Sequence, residues 1–327
     1  MTDMKMHGKF KEIQQALSLE NERKIIWAST RSFLEIDDYK HRRNGGKRKS
    51  YWTLFERFLH VFSFFIKAAG LYEKGRNNAL NIVVNKIQIE FLNLPDSFNG
   101  YKILHLTDLH LDSTKGIEDI IIKKIENLEY DLCVMTGDYR NRTHGNFKQI
   151  LLPMEKLVKT INSKDGILAV LGNHDTYQLV NYMEEMGIRV LTNETVTIYR
   201  KGEHIAVTGI DDPSNYYTEQ ITAALEEKNR DFKIVLAHSP EIYDTAADNG
   251  YNLYLCGHTH GGQICLPGGI PIFTHLRTGR SYCKGMWSYA GMKGYTSCGC
   301  GTSGIPVRFN CHSEIPLIEL RNREEIN

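Results

Sequence analysis

Five short motifs set out oxygen and nitrogen donors in order along the chain: Asp108-Leu109-His110, Gly137-Asp138, Gly172-Asn173-His174-Asp175, His238, and Gly257-His258-Thr259-His260. Carboxylates, an amide oxygen and imidazoles together suit divalent first-row metals. Asp108 and His110 are two apart, so on an extended segment they share a face, and His258 and His260 repeat that spacing. Asp138 follows a glycine, where backbone can approach closely, and its carboxylate can offer one oxygen to each of two cations. Asn173 adds a neutral oxygen, His238 and His258 add imidazoles, and His260 can return to the first cation. Such a set is what a two-metal hydrolytic site needs: paired cations clamp a phosphoryl group and lower the pKa of a shared water to about 7. His174 is then the partner that binds no metal. Protonated, it could stabilise the equatorial oxygens or protonate the leaving group. Asp175 beside it is expected to fix its tautomer and raise its basicity.

The elements that must position these residues are legible as short apolar runs. Ile103-Leu104-His105-Leu106 precedes Asp108, Leu132-Cys133-Val134-Met135 precedes Asp138, and Ile167-Leu168-Ala169-Val170-Leu171 precedes Asn173. Ile205-Ala206-Val207-Thr208 precedes Gly209, Ile234-Val235-Leu236-Ala237 precedes His238, and Leu253-Tyr254-Leu255-Cys256 precedes His258. Helical patterns intervene at Gly116–Asn127, Phe147–Asn162, Asn181–Met186 and Thr218–Lys228. Strands buried on both faces and alternating with helices imply an α/β core. In such folds the carboxyl ends of the strands collect side chains at one edge. Motifs far apart in sequence can therefore meet there. Taken singly, each motif is weak; without a common role the set would bury clustered charge unpaired.

Other residues carry two readings each. Arg140 and Arg142 follow Asp138 closely, and Arg308 lies near the C-terminus; each is either a bidentate phosphate grip or a solvated loop arginine. Asp211 and Asp212, after another strand, either orient a ligand or histidine or make a turn with Pro213. His105 reads as a core histidine and His144 stays open, while His7, His41, His60, His204, His275 and His312 take surface or structural roles. Cys133 and Cys256 sit inside strands as small core residues. Cys283, Cys298, Cys300 and Cys311 lack the spacing of a closed zinc site and read as free thiols in a glycine-rich region.

The five motifs resemble the five blocks of the calcineurin-like metallophosphoesterase superfamily, over about residues 80–320. The resemblance implies an αββα sandwich: two mixed β-sheets face to face with helices outside. It also implies Asp108, His110, Asp138 and His260 on one metal and Asp138, Asn173, His238 and His258 on the other. Protein phosphatases of the superfamily carry Gly-Asp-x-Val-Asp-Arg-Gly, where this chain has Gly137-Asp138-Tyr139-Arg140-Asn141-Arg142-Thr143. Gly257–Gln263, Leu266-Pro267 and Gly301–Arg308 resemble the YkuE/YaeI-like branch, whose members commonly bear a membrane-associated or exported N-terminal segment. They are also similar to one type of UDP-diacylglucosamine pyrophosphatase, which cleaves a nucleotide-lipid at the membrane surface.

Composition leaves room for this. The chain has 327 residues, 41% of them hydrophobic and 24% charged, enough for one large core and an appendage. A formal net charge of +1 provides no global field toward nucleic acid, and no basic aromatic track extends beyond residues 41–50. Residues 1–50 are polar and end in a basic, Gly-Gly-containing run, read as a linker or mobile surface segment. A helix within residues 9–36 would place Phe10, Ile13, Leu17, Ile25 and Trp27 on one side. Residues 51–78 hold an aromatic amphipathic helix: Trp52, Phe55, Leu59, Phe62, Ile66 and Ala69 recur at steps of three and four, widened by Leu54, Phe58, Val61 and Phe65. Behind a basic run it suits an anionic membrane surface; alternatively it packs on the catalytic domain, residues 79–327, or on a second subunit. Arg57 and Lys67 argue against a spanning segment. The expected place is the cytoplasm, peripheral at the membrane, since neither a secretory pattern nor a twin-arginine signal with an apolar core is present.

The sequence thus points to a dinuclear phosphoesterase using manganese, iron, zinc or cobalt on a phosphodiester or pyrophosphate, in a lipid- or nucleotide-linked substrate. The alternatives are a soluble phosphomonoesterase or phosphoprotein phosphatase, and a metal-stabilised binding module without turnover.

Overall fold

Short strands buried on both faces build a four-layer molecule. The computed structural model describes residues 2–43, 57, 61–226 and 231–323. One six-stranded sheet runs in the order β1 (Val83–Phe91), β14 (Glu314–Asn322), β2 (Lys102–Leu106), β3 (Leu132–Thr136), β4 (Ile167–Val170) and β5 (Ile188–Val190). Its neighbours are parallel except β14 with β2. The second six-stranded sheet runs β12 (Gly285–Tyr289), β13 (Met292–Thr296), β9 (Leu253–Cys256), β8 (Phe232–Leu236), β7 (Glu203–Gly209) and β6 (Glu194–Arg200). There the outer pairs are antiparallel and the inner ones parallel. A two-stranded hairpin, β10 (Cys265–Leu266) with β11 (Ile270–Pro271), stands apart.

Alternate residues of each strand face opposite layers. On β3, Leu132 and Val134 enter the core between the sheets, while Cys133 and Met135 face the outer layer. On β9, Leu253 and Leu255 face inward while Tyr254 and Cys256 face outward. The first sheet is covered by α4 (Ile117–Ile125), α5 (Leu151–Val158) and α6 (Leu179–Glu185), the second by α7 (Glu219–Leu225) and α8 (Tyr243–Asp248). This is the mixed αββα sandwich expected. Leu104 on β2 is fully buried; truncating such a side chain to alanine costs about 2–5 kcal/mol.

The N-terminal part holds the helix expected within residues 9–36 but departs from the rest of its sequence reading. The stretch taken as a linker or mobile piece carries α1 (Thr2–Arg43), and α1 docks on the sandwich: Trp27 joins the outer core of the first sheet. Ile25 and Trp27 do not share a side, being 64% and 5% exposed. They are two residues apart, about 200° around a helix, so one contact face cannot hold both. The side chains of the basic run at 41–50, and Trp52, Leu54, Phe55, Phe58 and Leu59, lie outside the described residues. Helix α2 (residues 61–68) packs Phe62 and Ile66 against Ile264, Ile305, Val307 and Phe309. Val61, Phe64 and Phe65 of the same helix are exposed. Helix α3 (Tyr72–Leu80) leads into β1. Among the described residues no helix is long and apolar enough to cross a membrane.

Candidate metal centre

Every candidate donor leaves the carboxyl end of a strand. Asp108 and His110 follow β2, Asp138 follows β3, Asn173 follows β4, His238 follows β8, and His258 and His260 follow β9. Five of them take left-handed backbone: Asp108 (φ 51°), His110 (40°), Asp138 (56°), His258 (73°) and His260 (50°). Non-glycine residues rarely hold that conformation, and it persists only where surrounding structure imposes it. Here the imposition is visible. Asp108 N–H donates to Gly137 O at 3.0 Å, His110 N–H to Asp138 O at 3.0 Å, and Gly301 N–H to Asp108 O at 2.7 Å. Two glycines let the loops close up. A β-carbon on Gly257 would stand 2.1 Å from Asp108 Oδ2, and one on Gly172 would stand 2.3 Å from Asp138 Oδ1.

Two groups of donors result, joined by Asp138. In the first, His110 Nε2 and His260 Nε2 are 3.1 Å apart, and His260 Nε2 lies 3.4 Å from Asp108 Oδ1. In the second, Asn173 Oδ1 is 3.0 Å from both His238 Nε2 and His258 Nδ1, which are themselves 3.1 Å apart. Asp138 Oδ2 stands 3.7 Å from His110 Nε2 and 3.4 Å from His238 Nε2, one from each group. Backbone carbonyls fix the rings: His110 Nδ1 donates to Arg140 O at 2.9 Å and His238 Nδ1 to Thr136 O at 2.8 Å. Both Nε2 atoms therefore turn to the shared space. Asp108 Oδ1, which faces His260 Nε2, is buried with no hydrogen-bond partner, a condition that calls for a missing ligand. These donors fit divalent cations.

The electrostatics agree. Burial pushes the Asp108 carboxyl up to about 6 and the His110 imidazole down to about 4. Burial also holds His258 and His260 well below the ordinary imidazole range. Burial works to raise Asp138, but His174, His238 and His110 overcome it and keep its carboxyl well below its usual value. Burial works to lower His238, but Asp138 and Asp108 hold it well above its usual value. Without metal, a cluster of acceptors thus gathers a proton where positive charge is wanted.

His174 lies beside this cluster. Its Nε2 is 3.8 Å from Asp138 Oδ2, and its ring meets His110 edge-on at 5.1 Å. Asp175 does not orient it, contrary to expectation. The His174 ring is held by Asn141 O, 2.5 Å from Nδ1. The Asp175 carboxylate instead accepts from three backbone N–H groups, Asp138 and Gly172 at 2.8 Å and Tyr139 at 3.0 Å. Neighbours in a tight turn point apart, and Asp175 ties two donor loops together.

The two expected phosphate-gripping arginines are also spent elsewhere. Arg140, buried, donates to the carbonyls of His174 (2.5 Å), Thr143 (2.9 Å) and Gly145 (3.1 Å). Arg308, fully buried, donates to the carbonyls of Cys298 (2.6 Å), Gly301 (2.7 Å) and His260 (3.0 Å). Left-handed turns expose carbonyls, and guanidinium forks collect them. Arg142 on the same loop as Arg140 is exposed. Asp212 makes a turn, accepting from Asn215 N–H at 2.8 Å, and Asp211 accepts the Trp27 indole N–H at 2.9 Å. His105 is a core residue bonded to Thr136 Oγ1 at 2.8 Å. The His144 ring packs at a tilt against Tyr39 of α1, centroids 4.9 Å apart. All seven cysteines are free thiols, and none belongs to a cluster able to hold a metal among the described residues. Sequence reasoning passed over Thr107, whose hydroxyl donates to Asp108 Oδ2 at 2.8 Å; its place just before the first motif is the only signal for it.

Comparison with known proteins agrees with this geometry. The family model described as calcineurin-like phosphoesterase matches residues 101–262. The uncharacterized metallophosphoesterase YkuE of Bacillus subtilis is 32% identical over 238 residues, covering 70% of this chain and 82% of its own. The phosphodiesterase YaeI of Escherichia coli is 28% identical over 239 residues, covering 69% and 84%. A Bos taurus transmembrane protein with a metallophosphoesterase domain is 30% identical over 268 residues, covering 75% and 58%. The chain belongs to the calcineurin-like phosphoesterase family, in its YkuE/YaeI-like branch, a family of metal-dependent phosphoester hydrolases.

Proposed function

We propose that this chain hydrolyses a phosphodiester or pyrophosphate bond with two divalent cations, in a lipid- or nucleotide-linked substrate met at a membrane surface. Asp108, His110, Asp138 and His260 would hold one cation, and Asp138, Asn173, His238 and His258 the other. The observation that carries this reading is Asp138 Oδ2, set within 4 Å of an imidazole from each group. When bound, such cations supply Lewis acidity toward phosphoryl oxygens and a water of lowered pKa. The chain's own part is orientation and proton handling. Carbonyls of Arg140 and Thr136 fix the tautomers of His110 and His238. His174, with Nδ1 committed to Asn141 O, keeps Nε2 available to hold a proton and pass it to the leaving oxygen.

The diester class is supported by the likeness to a relative named as a phosphodiesterase. The lipid part is supported by exposed apolar side chains on α2 and on the hairpin that follows the last donor in sequence. Val61, Phe64 and Phe65 on α2 are exposed, as are Leu266, Ile270 and Ile272 around β10 and β11, the hairpin that directly follows His260. Ile264, at the foot of that hairpin, packs with Phe62 and Ile66. A patch of this kind suits an amphiphile or a bilayer surface. The peripheral placement rests on the same patch.

Turnover of manganese-loaded protein on bis-p-nitrophenyl phosphate, p-nitrophenyl phosphate and UDP-diacylglucosamine, with and without detergent micelles, tests the proposal. Micelle-dependent release of UMP supports a lipid-nucleotide substrate. Diester cleavage indifferent to micelles keeps the centre and removes the lipid. Monoester cleavage alone overturns the diester reading.

A further inference from the structure

Arg31 lies in the middle of α1, 70 residues before the region matched by the family model, yet its side chain is fully buried. Burying a guanidinium demands that its charge and its five donors be met. Asp211 meets the charge through NH1, and Glu35 one turn later accepts from Nε at 3.1 Å. The plane of the group lies 3.5 Å over the centre of the Tyr216 ring. NH2 does something different: it donates to Gly172 O at 2.9 Å and to Asp175 O at 3.1 Å. Those two carbonyls bracket Asn173 and His174. Glu35 extends the grip, accepting from Tyr177 N–H at 2.8 Å and from the Thr176 hydroxyl at 2.7 Å. Two residues of α1 thereby hold four consecutive-turn groups of the segment 172–177.

We propose that Arg31, seated by Asp211 and Glu35, is a positioning residue for the metal centre. It fixes the turn that carries Asn173 and His174, so that Asn173 Oδ1 keeps its place between His238 and His258. Helix α1 is then part of the working site and not an appendage to it. The inference rests on the dinuclear reading above. A stabilising ion pair alone would need only Asp211; the paired bonds to carbonyls on both sides of a candidate ligand are what assign the further role.

The test uses the full chain and manganese alone as the binding probe, with bis-p-nitrophenyl phosphate for turnover. Arg31→Lys keeps a positive charge against Asp211, but one ammonium cannot also span both carbonyls. The double variant Arg31→Met with Asp211→Asn removes the two fully buried charges together, while the half-buried Glu35 keeps its bonds from the Thr176 hydroxyl and Tyr177 N–H. Either change is expected to raise the manganese dissociation constant of one of two sites by about 10- to 100-fold, the scale seen when an outer partner of a ligand is lost. At saturating manganese, kcat should fall while KM stays within about twofold, because the substrate's own contacts are not touched. If either folded variant binds two manganese ions with unchanged affinity and keeps its kcat, with only its melting temperature lowered, Arg31 is a structural residue and the proposal fails. If the wild-type chain binds fewer than two ions, the dinuclear reading fails first and takes this inference with it.

Discussion

The first two helices, α1 and α2, meet the sandwich in opposite ways. Helix α1 is held by directional polar contacts: the Trp27 indole on Asp211, Arg31 on a carboxylate and two carbonyls, Glu35 on a backbone N–H. Helix α2 is held by an apolar seat, Phe62 and Ile66 against Ile305 and Val307. Directional bonds specify one position to fractions of an ångström, whereas apolar contact tolerates sliding and repacking. The first kind of docking suits an element coupled to a metal-binding turn. The second suits an element whose task is to present its other face, and on α2 that face is Val61, Phe64 and Phe65. The contrast predicts that changes in α1 reach the chemistry, while changes on the outer face of α2 do not.

The scale for "reaching the chemistry" is set at Asp138. Asp138→Asn removes a charge that both donor groups share and is expected to cost more than about 100-fold in kcat, beyond the loss from disturbing an outer partner. Manganese content should fall from two ions toward one or none. Near-normal turnover in a variant that retains two ions would remove the bridging role and with it the link between the two halves of the site. His174→Ala comes next. It should leave two ions bound while lowering kcat by about 10²- to 10⁴-fold, the range of a lost general acid. His174, His110 and Asp138 also lie close enough to share one cation. A loss of one metal ion in this variant would therefore make His174 a ligand and reassign the proton to another group.

Trp27→Ala probes the α1 side of the comparison without touching Arg31. It empties a place in the outer core of the first sheet and strips Asp211 of a donor. A cost of about 3–5 kcal/mol follows for a buried aromatic, read as a lower urea midpoint at unchanged slope. Weaker manganese binding should accompany it if α1 works as one latch. Lost stability with metal affinity intact would restrict the coupling to Arg31 and Glu35.

These predictions also separate what was legible in the chain from what was not. The seven candidate ligands were legible because their residue types are few and because each follows a continuous apolar run, buried on both faces, whose end marks where the strand ends. The layer order followed from the same runs together with the family resemblance. Arg140 and Arg308 misled because an arginine near a strand end looks like a phosphate grip, and sequence does not display the carbonyls that left-handed turns turn outward. Asp175 misled because adjacency to His174 was taken for contact. Arg31 and Glu35 gave no signal at all: spaced four apart on a polar helix, they match an ordinary surface ion pair. Their partners at Gly172, Asp175 and Tyr177 are backbone groups more than 140 residues away, and backbone groups leave no trace in residue type.

The smallest expected effect lies on α2. Phe64 and Phe65 are 66% and 63% exposed, so replacing both by serine should change stability by no more than about 0.5 kcal/mol each. Cleavage of bis-p-nitrophenyl phosphate in solution should stay at the wild-type rate, since neither ring touches the donor groups. What should change is flotation with vesicles containing phosphatidylglycerol, because burying two phenylalanine rings is worth about 1.5–3 kcal/mol each, or more than about a hundredfold loss in partitioning for the pair. Raising salt should weaken the wild-type binding only in part, since its apolar share is not screened. If the double variant floats as well as the wild type, the exposed face of α2 has no part in membrane contact. If it loses solution activity, the two helices are not as different as their contacts make them, and the apolar seat on Ile305 and Val307 is coupled to the centre too.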